Sequence, residues 1–325
     1  MKKIAILLLV HKSPEQLEHL LRRMDDNRFD IYIHVDAKSD INQFKGVKNQ
    51  VKASEVIFVK ERIKTYFNDF SLVQATVNTI KEAISKEYKY YILLTGQDYP
   101  IKSNDYIYEK LSNDYPISYI DMYGVEESFS KGVSWVEHIG YSYFSQNMRK
   151  FLLNMFGNKL YFSKFGYVVK ILPKMYDMLM TRLTFSPRVK LKNTDYVYSA
   201  GSHFWILPDI SVKHIIQKYD NDTCINNIFK HIAAPEESYF QTILSSMSNL
   251  KLPDGMYDQF SSRRKEMDNP SLRLIKWYEN GQHTSGHPAI WKMEDAHIIE
   301  EAEALFARKF DINIDSDIIN YLDRK

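Results

Sequence analysis

Ile4-Ala5-Ile6-Leu7-Leu8-Leu9-Val10 runs straight into His11-Lys12, and then into Ser13-Pro14-Glu15-Gln16-Leu17. Seven apolar residues without alternation describe a strand buried on both faces, the pattern of a parallel sheet. Ser13, Pro14 and Gln16 then read as the N-cap, N1 and N3 of a capping box. Leu17, Leu20, Leu21 and Met24 continue at helical spacing. Further along, Ile31, Ile33 and Val35 alternate with Tyr32 and His34 in a second strand that ends at Asp36. Residues 56–59 predict a third strand, Val73, Val77, Ile80 and Ile84 a second helix, and residues 90–94 another strand. Strand and helix alternating through short loops predict an α/β fold, a sheet covered by helices. Ligands of such sheets bind beyond the carboxyl ends of the strands. His11, Asp36 and the turn Thr95-Gly96-Gln97-Asp98-Tyr99-Pro100 therefore fall on one edge.

From about 115 to 195 the periodicity weakens and the chain becomes aromatic and basic, with Tyr141, Tyr143, Phe144, Phe151, Phe156 and Tyr161 crowded together. This reads as a helical insertion into one domain spanning 1–325, not as a second domain. Regular signals return with a strand over Gly201-Ser202-His203-Phe204-Trp205-Ile206-Leu207 and a helix near 211–218. Pro235-Glu236-Glu237 opens a helix that carries Tyr239, Phe240, Ile243, Leu244 and Met247. A last helix is predicted to hold Ile298, Ala302, Leu305 and Phe306.

The whole-chain numbers agree with a packed globular protein. A chain of 325 residues, 44% hydrophobic and 26% charged, can bury a sizeable core. Its 43 basic and 41 acidic residues leave a net charge of +2, too little for a dedicated nucleic-acid binder. The one cysteine, Cys224, can form neither an internal disulfide nor a structural zinc site alone, which fits a reducing compartment. The apolar run at the N-terminus is far below the ~20 residues needed to span a bilayer. The expectation is a cytoplasmic chain without a transmembrane segment, able to lie against the inner membrane.

No phosphate-binding P-loop, GxGxxG, HExxH or GxSxG occurs in the sequence. Two Asp-x-Asp spacings, Asp220/Asp222 and Asp315/Asp317, have the form of a divalent-ion chelate. Neither follows a buried strand, so solvated loops are the better reading and no metal ligand is assigned. Asp36, just past a strand, can accept hydrogen bonds from a ribose or base, or simply cap a turn. Glu237 lies in the first turn of its expected helix, where the dipole favours an ionised general base; the bland alternative is that Glu236 and Glu237 only complement that dipole. Arg308 and Lys309, set between Phe306 and Phe310, can replace a metal on a diphosphate or form a solvated basic end.

Seven pieces of the chain, in order, carry a family resemblance. They are Leu9-Val10-His11-Lys12, Ile33-His34-Val35-Asp36-Ala37-Lys38-Ser39, Leu93 to Lys102, Gly201-Ser202-His203-Phe204-Trp205, Pro235-Glu236-Glu237-Ser238-Tyr239-Phe240, Arg273-Leu274-Ile275-Lys276-Trp277 and Leu305-Phe306-Ala307-Arg308-Lys309-Phe310-Asp311. Together they resemble the core-2/I-branching β-1,6-N-acetylglucosaminyltransferases, whose relatives include the peptide O-xylosyltransferases. The resemblance implies a GT-A type fold, Rossmann-like, with a mixed sheet flanked by helices. It implies metal-independent, inverting transfer from a UDP-sugar donor, with no further cofactor, to a glycan or lipid-linked glycan acceptor in bacterial surface-glycan synthesis. The donor sugar is N-acetylglucosamine or xylose. It assigns the base to Glu237, a diphosphate contact to Lys309, and nucleoside contacts to Val10, His11 and Asp36. Gln97, Asp98, Gly201, Ser202 and Trp277 fall in the sugar cleft. A second phosphate-binding cation of animal relatives has no match, because the local segment reads Gly286-His287-Pro288. His287, Arg273 or Arg308 is left to substitute. The rival from another class is a non-catalytic nucleotide- or carbohydrate-binding protein.

Overall fold

A computed structural model describes residues 2–66, 69–124, 191, 194–230, 232, 234–253, 270–279, 282–284 and 288–325. Its strands are β1 (Ile4–Val10), β2 (Phe29–Val35), β3 (Glu55–Phe58), β4 (Tyr90–Thr95), β5 (Asp98–Pro100), β6 (Tyr119–Ile120) and β7 (Tyr123–Gly124). They continue with β8 (Ser199–Ala200), β9 (Trp205–Pro208), β10 (Arg273–Ile275), β11 (Tyr278–Glu279), β12 (Gln282–His283) and β13 (Phe306–Arg308). The α-helices are α1 (Pro14–Arg23), α2 (Ser71–Ala83), α3 (Asn104–Asn113), α4 (Asp209–Asn221), α5 (Thr223–Phe229), α6 (Tyr239–Ser245), α7 (Ala296–Glu301) and α8 (Ser316–Asp323).

The main sheet runs β3-β2-β1-β4-β9-β6. The first four strands are parallel, whereas β9 is antiparallel to both β4 and β6. The unbroken apolar run of β1 has a simple cause. Ile4, Ile6, Leu8 and Val10 pack with Leu17, Leu20 and Leu21 of α1 on one face. Ala5, Leu7 and Leu9 pack with Val73, Val77 and Ile80 of α2 on the other. A strand covered on both sides has no solvent face to mark with polar residues. The polar residues of β2 are satisfied internally. Asp30 pairs with Lys3 at 2.8 Å and accepts from Tyr88, and the His34 Nε2 accepts from the Ile63 amide at 2.8 Å. Burial pushes His34 down to about 4, so the ring stays neutral and can accept that bond.

A second, three-stranded sheet runs β10-β13-β5, with β13 parallel to β10 and antiparallel to β5. It corrects the expected last helix. The helix α7 stops at Glu301, Ala302 is extended, and Phe306 lies in a strand. The 298/302/305/306 spacing suits a helix, but Leu305 and Phe306 donate their amides to the Leu272 carbonyl instead. Long-range pairing overrides the local period here.

Two further helix expectations change. Ser13 has φ 54° and makes no side-chain cap, so the capping box is absent. Pro235–Glu237 is a separate 3-10 turn, interrupted at Ser238 (φ −147°) before α6 begins. The strand predicted over 201–207 is paired in the main sheet only from Trp205. Most of the expected insertion, residues 125–190 and 192–193, lies outside the described residues.

Candidate active site

The 3-10 turn that carries Glu237 is held by its backbone. The Gly201 amide donates to the Glu237 carbonyl at 2.8 Å, and the Glu237 amide donates to Ala234 at 3.0 Å. Position 201 tolerates no side chain, because a Cβ there would sit 1.6 Å from the Asp121 carbonyl oxygen. The neighbouring Ser202 amide donates to the Asp121 carboxylate at 3.1 Å, while the Gln241 side chain donates to the Ser202 carbonyl at 2.8 Å. Gly201 and Ser202 thus act as scaffold beneath Glu237. The two acids of the turn differ in setting: Glu236 is buried and Glu237 half-buried.

The charge of Glu237 acts on Arg308, at the end of β13. Burial lowers the Arg308 pKa, and Asp98 and Glu237 oppose that shift. Its guanidinium lies 4.2 Å from the centre of the Phe204 ring. Arg273 uses the same ring at 4.9 Å, is fully buried, and pairs with the equally buried Asp98 at 3.2 Å. It also donates to the Leu93 carbonyl at 2.9 Å. Burial brings the Arg273 pKa down to about 10, with Asp98 opposing and Arg308 adding to the fall. A guanidinium with no exposed surface, paired with a buried carboxylate, is out of reach of a diphosphate at the edge, which corrects the expectation that Arg273 could substitute as a phosphate contact. Asp98 is likewise enclosed. Its other oxygen accepts from the Thr95 amide at 2.7 Å and hydroxyl at 2.6 Å, tying off the β4–β5 turn, so it is not presented to a sugar. His203 completes this buried group. Its ring stacks on Phe204, its Nε2 has no hydrogen-bond partner among the described residues, and burial together with the Arg308 charge lowers it to about 4.

Lys309 follows Arg308 out of β13. Its pKa is lowered first by burial, then by the charges of Arg308 and Lys12, with Asp311 opposing. Lys12 itself lies 3.6 Å from Asp311. At the end of β1, His11 is lowered by burial and by Lys12, Lys38 and Lys309, against a raising effect of Asp36. The charges of three lysines therefore act on His11 at the carboxyl edge of the sheet. Val10 is buried there, its Cγ1 3.4 Å from where a Cβ on Gly96 would stand.

Asp36 is buried and already engaged. It accepts from the Lys38 amide at 2.7 Å, from the Thr65 hydroxyl and from the Thr65 amide at 3.2 Å. Burial alone would raise it, but these bonds and the Lys38 charge hold it below the usual carboxylate range. The exposed Tyr66 lies beside it, with the Lys38 ammonium 4.6 Å from the ring centre.

Gln97 sits in the β4–β5 turn and exchanges bonds with Phe310. Its carbonyl accepts the Phe310 amide at 2.9 Å, and its side chain reaches the Phe310 carbonyl at 3.4 Å. Trp277 is half-buried, its carbonyl accepting from the Thr284 amide at 2.8 Å. His287 lies outside the described residues.

Both Asp-x-Asp pairs are used structurally, though as helix caps more than as free loops. Asp222 caps α5 through the Ile225 amide at 3.0 Å, and Asp220 pairs with Lys81 at 2.5 Å. Asp315 caps α8 through Ile318 at 3.0 Å. Among the described residues, no group of three or more His, Cys, Asp and Glu side chains is arranged to hold a metal ion.

Sequence reasoning missed several members of this edge. The Trp291 amide donates to the Lys309 carbonyl at 2.9 Å, and its indole donates to the Arg308 carbonyl at 2.8 Å. Trp291 and Tyr66 carry no local motif that would have marked them, Gln16 reads as half of a capping box, and Lys12 and Lys38 lie within the family pieces without being given a role.

Fold and site together define an α/β protein with a cationic carboxyl edge beside a half-buried acid. Residues 4–300 match the Core-2/I-branching enzyme family, and the chain belongs to it. It is 36% identical, over 111 residues, to a human β-1,3-galactosyl-O-glycosyl-glycoprotein β-1,6-N-acetylglucosaminyltransferase, covering 33% of this chain and 26% of the human protein. It is 21% identical to chimpanzee xylosyltransferase 1 over 99% of this chain and 30% of that one. The chain thus spans about a quarter to a third of the length of these relatives. Among solved structures, mouse xyloside xylosyltransferase 1 overlaps 77% of this chain and 84% of its own, at 11% identity and a TM-score of 0.34. No helix among the described residues is long and apolar enough to cross a membrane.

Proposed function

We propose that this protein is a GT-A type glycosyltransferase that moves a sugar from a UDP-sugar to a hydroxyl of a glycan acceptor, with inversion and without a metal. The observation that carries the reading is the charge of Glu237 acting on Arg308, whose chain neighbour Lys309 carries a further cation at the carboxyl edge. Glu237 takes the proton of the acceptor hydroxyl as its oxygen attacks the anomeric carbon. The bond to the diphosphate oxygen breaks on the opposite face. Lys309, with Lys12 and Arg308, stabilises the charge gathering on the departing UDP. General-base assistance contributes on the order of 10²–10⁴ in rate, and fixed charges in a water-poor site add a comparable factor.

The nucleoside binds by Val10, His11 and Asp36. Because Asp36 is already bonded to Thr65 and Lys38, it acts as much by shaping the loop as by touching ribose. Tyr66 offers an exposed aromatic face in the same place. Trp277 contributes to the sugar cleft. The relatives' names support N-acetylglucosamine first and xylose second as donor sugar and a glycan as acceptor. The proposed acceptor is a glycan or lipid-linked glycan of bacterial surface-glycan synthesis.

The test is a panel of UDP-sugars with simple glycan acceptors, with turnover followed in excess EDTA. Slow donor hydrolysis and transfer that persist under chelation are expected. Activity lost to EDTA and restored by manganese would overturn the metal-free mechanism. Tight UDP binding without turnover of any donor would favour a non-catalytic nucleotide-binding protein.

A further inference from the structure

Gln16 lies in the first turn of α1, where a glutamine ordinarily serves the amides of its own helix. Here it serves other segments. It is 1% exposed, and its amide nitrogen donates to the carbonyls of Gly96 at 2.7 Å and Phe310 at 3.1 Å. Its amide oxygen accepts from the Ile312 backbone at 3.0 Å. One buried side chain thus joins α1, the β4–β5 turn and the segment directly after Lys309.

The Lys309 segment needs such a restraint. The Lys309 ammonium is partly desolvated and faces the like charges of Arg308 and Lys12. Repulsion and hydration both favour its swinging out into water. Trp291 holds the backbone at Arg308 and Lys309, and Gln16 holds it at Phe310 and Ile312. Without Gln16 the buried bond to the Phe310 carbonyl and the part-buried bonds to Gly96 and Ile312 are lost, which the segment would relieve by moving.

We propose that Gln16 is a positioning residue that keeps Lys309 against the diphosphate of the bound nucleotide. This rests on the diphosphate role proposed above for Lys309. The experiment is a double-mutant cycle on the full chain, with UDP and uridine affinities measured by calorimetry for Gln16→Met, Lys309→Ala and the pair. Gln16→Met keeps the volume and removes all three bonds. It should weaken UDP about tenfold and uridine less than about twofold, and add less than about twofold to the loss already caused by Lys309→Ala. If Gln16→Met does not fold, Gln16→Glu serves. It accepts from Ile312 but cannot donate to the two carbonyls, and should show the same selective loss. Equal weakening of UDP and uridine, or full additivity with Lys309→Ala, would overturn the proposal. If Lys309→Ala itself leaves UDP affinity unchanged, the diphosphate reading fails and the positioning role falls with it. If Lys309→Ala weakens UDP and both Gln16 variants do not, the positioning role alone is lost.

Discussion

Two groups of cations meet at the carboxyl edge of the sheet, and they differ in what surrounds them. Arg273 is fully buried, paired with Asp98, bonded to the Leu93 carbonyl and set against Phe204 and Phe306. The charges of Lys12, Lys38 and Lys309 act on the exposed His11, with Asp36 and Asp311 as the counter-charges among the described residues. The first group is closed, its charge already spent inside the protein. The second has excess positive charge within reach of a ligand. Arg308 is acted on by both Asp98 and Glu237, and its Nε has no hydrogen-bond partner among the described residues. Cation identity alone does not separate a ligand-binding group from a structural one; the depth of burial of the charge does.

The largest effect that would sharpen this contrast is on stability. Arg273→Met leaves the Asp98 carboxylate buried without its partner, which costs about 3–5 kcal/mol. Thermal denaturation should show the loss, while UDP affinity of the remaining folded protein stays near that of the parent. A stable Arg273→Met protein that no longer binds UDP would put Arg273 in the open group and break the distinction.

The next effect is the mirror image. Lys309→Ala should leave the melting temperature within a degree or two and weaken UDP by about 1.5–3 kcal/mol, the scale of a hydrogen bond to a charged group. Uridine, which lacks the diphosphate, should bind nearly as before. Equal losses for both ligands would make Lys309 a scaffold residue.

The smallest effect is in protons. His11 has its pKa lowered by burial and by the three lysines, so it is neutral near pH 7. A diphosphate placed among those lysines opposes their field and raises the His11 pKa. Binding should therefore take up a fraction of a proton, and affinity should rise as the pH falls toward 6. A UDP-sugar is the proper probe, since its diphosphate has no proton to gain near neutrality. Calorimetry in two buffers of different ionisation enthalpy reads the uptake directly, and His11→Ala should abolish it. Uptake that persists in that variant would assign the proton elsewhere.

The same contrast explains which parts were legible in the sequence. The parallel core was readable because burial on both faces writes itself into an unbroken run such as Ile4–Val10. His11 and Asp36 were readable because they stand at the ends of predicted strands, and Lys309 because it follows Arg308 between Phe306 and Phe310 in one of the family pieces. By sequence Asp98 falls in the turn at the edge and Arg273 is offered as a substitute phosphate contact, but nothing local says that each closes the other. Gln16 looked like half of a capping box because its partners, Gly96 and Phe310, are 80 and 294 residues away. Trp291 was passed over for the same reason. The spacing around Leu305 and Phe306 misled because a short apolar segment fits a helix or a strand equally until its pairing partner is known. Glu237 was found as a residue, but its setting differed. A 3-10 turn anchored through Gly201 holds it, instead of the first turn of a continuous helix.

Glu237 is where the proposed chemistry is most directly tested. Glu237→Gln keeps size and most hydrogen bonding but removes the proton acceptor, so sugar transfer should fall at least about 100-fold with UDP affinity and melting temperature little altered. The adjacent Glu236 is 4% exposed, so Glu236→Gln should act on stability and leave transfer per folded molecule within about tenfold of the parent. Measuring transfer by the two variants under saturating donor separates the roles. A Glu237→Gln enzyme that retains transfer, or a pair of variants that lose it equally, would contradict a catalytic Glu237.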